Sequence, residues 1–162
     1  MNIRRTAVLP ILLLASGVGW AEECHVTVEG NDLMQYQERQ LTVPSTCAEV
    51  MVTLKHVGTL AAKVMGHNWV LAKTADVVAV ANAGIAAGFE HNYQPAGDKR
   101  IIAATPIVGG GESVTVRFST ATLQPGGDYT FFCSSPGHWS MMKGKFLFGG
   151  PNERLAANKK GS

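Results

Sequence analysis

Five stretches of the chain alternate apolar and polar residues with a period of two. "CHVTVEG" (24–30) puts Val26 and Val28 on one side, and "EVMVTLKH" (49–56) aligns Val50, Val52, Leu54 and His56. "SVTVRF" (113–118) aligns Val114, Val116 and Phe118. "DYTFFC" (128–133) aligns Tyr129, Phe131 and Cys133, so Cys133 ends a strand, and "GKFLFG" (144–149) aligns Phe146 and Phe148. Breaks at "VPSTC", "VGGGE", "LQPGGD" and "SPGH" separate these runs, and the pattern predicts an all-β antiparallel sandwich. One segment departs from it. "KTADVVAVANAGIAAGFE" (73–90) is Ala-rich, with Thr74 as N-cap, Asp76 in the first turn and glycines at 84 and 88. It predicts one or two short helical pieces inserted between strands.

Ahead of the first alternating run, Arg4 and Arg5 precede the apolar stretch "AVLPILLLASGV" (7–18), and Gly19 and Ala21 suit a cleavage site. Residues 1–21 therefore predict a cleaved secretory signal, by the general route or the twin-arginine one. No later stretch reaches the roughly 20 apolar residues of a membrane-spanning helix, so no membrane insertion is expected. Residues 22–150 form one expected domain, and 151–162, "PNERLAANKKGS", a mobile basic tail. The formal charge of +2 falls to zero without Arg4 and Arg5. The tail holds Arg154, Lys159 and Lys160 against Glu153, so the domain itself carries about −2. That balance excludes the strongly basic face nucleic-acid binding needs.

Export changes how the three cysteines are read. An odd count in an oxidising compartment leaves at least one unpaired. A bridge between Cys24 and Cys47 would contribute about 3 kcal/mol and leave Cys133 as a free thiol, a liability unless something holds it. Cys133 stands in "FFCSSPGHWSMMKG" (131–144), where Pro136 and Gly137 make a tight turn, His138 follows at i+5 and Met142 four residues later. Thiolate and thioether select a soft metal, and imidazole suits copper or zinc. Of the other histidines, His25 and His91 sit in polar contexts that favour exposure, while His56 reads as a buried, hydrogen-bonded core residue. His67 follows a glycine at the start of the apolar run "MGHNWVL" (65–71). The candidate set is His67, Cys133, His138 and Met142. Two imidazoles and a thiolate in a plane, with a weak axial thioether, make a blue-copper electron-transfer donor set.

"EGNDLMQ" (29–35), "VMGHNWVLAKTAD" (64–76), "IIAATPIVGGGE" (101–112) and "YTFFCSSPGHWSMMKG" (129–144) resemble the azurins, small periplasmic cupredoxins of Gram-negative bacteria. The resemblance runs from Glu23 to about Gly149. It implies a Greek-key β-sandwich or barrel of the cupredoxin type with a short inserted helix. It implies one copper ion held by His67, Cys133 and His138, with Met142 axial and the Gly66 carbonyl opposite. Asn68 would bond to the ligand loops, the Ser135 N–H would point at the Cys133 sulfur, and Cys24 and Cys47 would be bridged. His56 would be a buried histidine whose protonation couples to redox state, and Trp69 a core tryptophan. Two positions depart from the family, which usually carries an aromatic at Ser135 and a small residue at Trp139. Ser135 is expected to admit water or a dipole near the thiolate and lower the reduction potential.

The function expected is single-electron transport between periplasmic redox proteins such as c-type cytochromes and reductases, by a monomer making weak, transient contacts. In the family the edge of the ligand that His138 matches is the electron port. Met34, Met65, Ile85 and Trp139 are the candidate docking patch around it. Two rival classes are a copper-buffering protein, which calls for a methionine-rich site able to release metal, and a cysteine hydrolase using Cys133 with His138. The hydrolase lacks an evident substrate cleft or oxyanion hole.

Overall fold

The computed structural model describes residues 24–150. The signal segment 1–21 and the tail 151–162 lie outside the described residues. Nine strands run β1 (His25–Asn31), β2 (Gln35–Tyr36), β3 (Gln40–Val43), β4 (Glu49–His56), β5 (Val70–Lys73), β6 (Ile101–Ala104), β7 (Ser113–Ser119), β8 (Tyr129–Phe132) and β9 (Lys143–Phe148). Two helices interrupt them, α1 (Ala62–Met65) and α2 (Val77–Ala87).

The strands form two separate sheets, ordered β2-β1-β4-β7 and β3-β9-β8-β5-β6, so the architecture is a sandwich rather than a closed barrel. It is also not purely antiparallel. β1 pairs parallel to β4, and β3 parallel to β9. The chain changes sheet five times, between β2 and β3, β3 and β4, β4 and β5, β6 and β7, and β7 and β8. Alternation shows which face of a strand is buried but not the direction of its neighbour. The short strands β2, β3 and β6 carry too few residues to register as periodic runs.

Inward-facing residues of both sheets share one core: Val28, Val50, Val52, Leu54, Trp69, Leu71, Phe131 and Phe146 among them. The Trp69 ring lies 6.1 Å from Phe131 and 6.4 Å from Phe146, within the range of favourable aromatic contact. Alternation in β4 is clean, with Val50, Val52, Leu54 and His56 buried and the positions between them half-buried or exposed. In β8 it fails, since all four residues are buried. The reason is α2, whose Val77, Val80 and Ala81 pack over Val70, Ala72 and Phe132 on the outer face of the second sheet. Thr74 does not cap that helix. It begins a short 3₁₀ turn (Thr74–Asp76), and its hydroxyl donates to Asp128. Gly88, at φ 78°, ends α2 in a conformation that suits glycine. The Cys24–Cys47 bridge is formed, and Cys133 is free and buried.

Candidate metal centre

Two distant segments meet at one end of the sandwich. The first enters through α1, which stops at Gly66. A side chain at Gly66 would put its Cβ 2.2 Å from the Ala62 carbonyl oxygen and 2.5 Å from Ile107, so only glycine lets the chain turn that tightly. His67 then exchanges two backbone hydrogen bonds with Val108, at 3.0 and 2.8 Å, three residues before β5 begins at Val70. The second segment leaves β8 at Phe132, one residue before Cys133. The Cys133 N–H donates to the Met142 carbonyl at 3.0 Å, and the Met142 N–H to the His138 carbonyl at 2.8 Å. Between them Ser135–His138 closes as a turn, the His138 N–H on the Ser135 carbonyl at 3.0 Å and Gly137 at φ 80°. That is a type II turn, which needs φ above zero at its third residue and favours proline at its second.

These two segments bring His67, Cys133 and His138 together, all buried, with one donor atom from each within 4.8 Å of the others. Both histidines present Nδ1 to the sulfur, at 4.0 Å for His67 and 3.5 Å for His138. The His67 Nε2–H donates to the Asn31 carbonyl at 2.8 Å, which leaves the Nδ1 lone pair free for a metal. Burial lowers the His67 pKa to about 4, against the opposing pull of the Asn31 carbonyl, so the ring is neutral at ordinary pH. Burial also lowers His138 and raises the Cys133 thiol, while the N–H groups of Asn68 and Ser135 favour the thiolate.

Met142 is fully buried. A Cβ at Gly30 would sit 3.0 Å from His67 Cδ2 and 3.5 Å from Met142 Cε, so that glycine leaves room for both side chains. Asn68 stitches the loops: its Oδ1 accepts the Ser134 N–H at 2.9 Å, and its Nδ2 donates to Ser134 Oγ at 2.8 Å and the Asn92 carbonyl at 2.7 Å. Ser135 is 4% exposed, and its hydroxyl donates to the Gly66 carbonyl at 2.8 Å. His56 stacks on His67, ring centroids 4.4 Å apart and planes 12° from parallel. Its Nε2–H donates to the Met65 carbonyl at 2.8 Å, and its Nδ1 accepts the Gly58 N–H at 3.1 Å.

A buried thiolate source with two oriented imidazole lone pairs fits a soft or borderline metal such as copper. A model of the copper-binding proteins of the plastocyanin/azurin family matches residues 22–148. The chain belongs to the plastocyanin/azurin family of copper-binding proteins. It is 49% identical to azurin of Achromobacter denitrificans over 139 residues, covering 85% of this chain and 93% of that one. It is 52% identical to azurin of Bordetella pertussis over 124 residues, 76% of this chain and 83% of that one. A solved structure of an azurin, iso-2 from Methylomonas sp. strain J, superposes with a TM-score of 0.76 at 48% identity, covering 78% of this chain and 98% of that one. A plastocyanin/azurin-family chain with this site is a blue-copper electron carrier, not an enzyme.

None of Met34, Met65, Ile85 and Trp139, the docking patch expected from sequence, lines the depression beside His138. The depression beside His138, about 210 Å³, is lined by Ala62, Lys63, Val64, Gly66, Tyr93, Ser135 and Pro136. Met34 is half-buried against the core, and Met65 is half-buried with its carbonyl given to His56. Ile85 is 48% exposed on α2, and Trp139 is packed against the outer cluster that α2 forms with the second sheet. Asn31 and Gly30 went unnoticed in the sequence because one acts through its carbonyl and the other through the space it leaves. Neither leaves a side-chain signature.

Proposed function

We propose that His67, Cys133 and His138 would hold one copper ion, with the Met142 thioether and the Gly66 carbonyl as its weaker donors. We further propose that the protein is a monomer shuttling single electrons between redox proteins of the periplasm through brief contacts. The bound copper supplies a one-electron couple between Cu(I) and Cu(II). The protein's part is to hold the donors still: the Asn31 carbonyl fixes one imidazole, the Ser135–His138 turn the other, and Asn68 ties the cysteine loop to the Asn92 loop. Donors that barely move let an electron arrive without rebuilding the site.

The observation that carries this reading is the two Nδ1 atoms facing one buried sulfur, 4.0 and 3.5 Å away. His138, at 8% exposure, is the only one of those three side chains to reach solvent. We assign it as the electron port, bordered by Val64 at 68% exposure. His56, stacked on His67, is assigned as the group that senses the oxidation state. The electron self-exchange rate of copper-loaded protein tests the port. Val64→Lys lowers it about tenfold or more and leaves the visible spectrum unchanged, because like charges oppose the encounter of two copies. A self-exchange rate equal to wild type would remove this face from the account.

A further inference from the structure

The back of the ligand loop forms a second feature, unrelated to the depression beside His138. A cleft of about 410 Å³ opens between α2 and the outer face of the second sheet. Val77, Val78 and Trp139 supply its apolar surface, and Arg39, Lys143 and Lys145 its charge. No carboxylate lines it. Lys145 is neutralised by Asp128 at 2.7 Å. The other two cations are not. Arg39 donates to the Met141 carbonyl at 2.7 Å and the Lys143 carbonyl at 3.5 Å, which leave its charge in place. The Lys143 Nζ lies over the Trp139 ring, 5.5 Å from its centroid. Among the described residues neither Arg39 nor Lys143 has a carboxylate within ion-pair distance.

The cleft is built from the metal loop itself. Trp139 follows His138, Lys143 follows Met142, and Arg39 grips the carbonyls on either side of Met142. His138 and Met142 are buried, while Trp139 is half-buried and Lys143 exposed. An occupant of the cleft therefore touches residues covalently joined to two members of the proposed copper set. The domain as a whole is slightly acidic, so an uncompensated pair of cations there is a local reversal of sign that orients an approaching charge.

We propose that this cleft docks the acidic face of a redox protein, which sets carboxylates on Arg39 and Lys143 and an apolar side chain against Trp139 and Val77. This rests on the electron-carrier reading and names the chemistry of the partner.

The test uses reduced, copper-loaded protein mixed with two oxidised c-type cytochromes of opposite net charge. One electron leaves the protein and reduces the haem iron from Fe(III) to Fe(II). Lys143→Glu lowers the bimolecular rate constant with the acidic cytochrome about five- to tenfold at low ionic strength, and added salt erases the difference. Lys143→Gln gives a smaller loss in the same direction, and the basic cytochrome reacts no more slowly with either variant. In a second readout, redox-inert hexacyanochromate(III) broadens the Trp139 indole N–H resonance of the reduced protein. An acidic-cytochrome rate that ignores both substitutions overturns the proposal. Broadening at Trp139 with that unchanged rate overturns it too, leaving a cleft that takes small anions only. Failure of wild-type protein to reduce either cytochrome would instead bring down the carrier reading, and this proposal with it.

Discussion

Ser135 has a partner in the fold that its sequence context does not show. As a small polar residue where the family usually carries an aromatic, it suggested water near the sulfur and a lowered potential. Folded, it is almost fully buried, its hydroxyl donates to the Gly66 carbonyl, and its backbone N–H favours the Cys133 thiolate. Both effects weaken electron donation to an oxidised ion and so favour the reduced state. Ser135→Ala, which removes the hydroxyl and keeps the N–H, is expected to lower the reduction potential by tens of millivolts, about the size of one neutral hydrogen bond in a one-electron couple. Voltammetry of the two proteins checks this, and an unchanged or higher potential in the variant contradicts it. A second residue-scale expectation concerns His67. Its folded pKa, about 4, lies below the unfolded value of about 6.5, so the unfolded chain binds more protons between them. The copper-free protein therefore loses stability as pH falls from 6.5 towards 4, by about 1 to 3 kcal/mol. Urea unfolding at pH 7 and pH 4.5 measures it. Copper-free His67→Gln should lose less over the same interval.

At the scale of elements, the ligand loop was the most legible part of the chain. Pro136 and Gly137 announce the turn, and the spacing of Cys133, His138 and Met142 follows from a type II turn running into a 3₁₀ segment (His138–Ser140). The strand directions were not legible. Pairing partners come from chain crossings between the sheets, which a period-two pattern does not encode. Nor was the burial of both faces of β8, because the cover, α2, is remote in sequence. The entry to the site depends on one steric fact, that Gly66 has no room for a side chain. Gly66→Ala should cost more than 1 kcal/mol, since the contact it creates is with backbone as well as with Ile107. Thermal unfolding of the copper-free variant reads that cost. A melting temperature within a degree of wild type would show that the turn relaxes freely.

For the whole molecule, the sandwich and the bridge serve as foundation rather than as chemistry. The Cys24–Cys47 bridge joins the residue before β1 to the β3–β4 connection, away from the donor atoms. Cys24→Ser with Cys47→Ser is expected to lower stability by about 3 kcal/mol and to leave the spectrum of the copper-loaded protein as it was. A changed spectrum would mean the scaffold transmits strain to the metal. The most direct measurement is the visible absorption of purified protein titrated with Cu(II), beside Cys133→Ser. One equivalent should raise an intense blue charge-transfer band and then saturate, and the serine variant should stay colourless. Wild-type protein that stays colourless at one equivalent, with the Cys133 thiol still open to alkylation, would contradict the account.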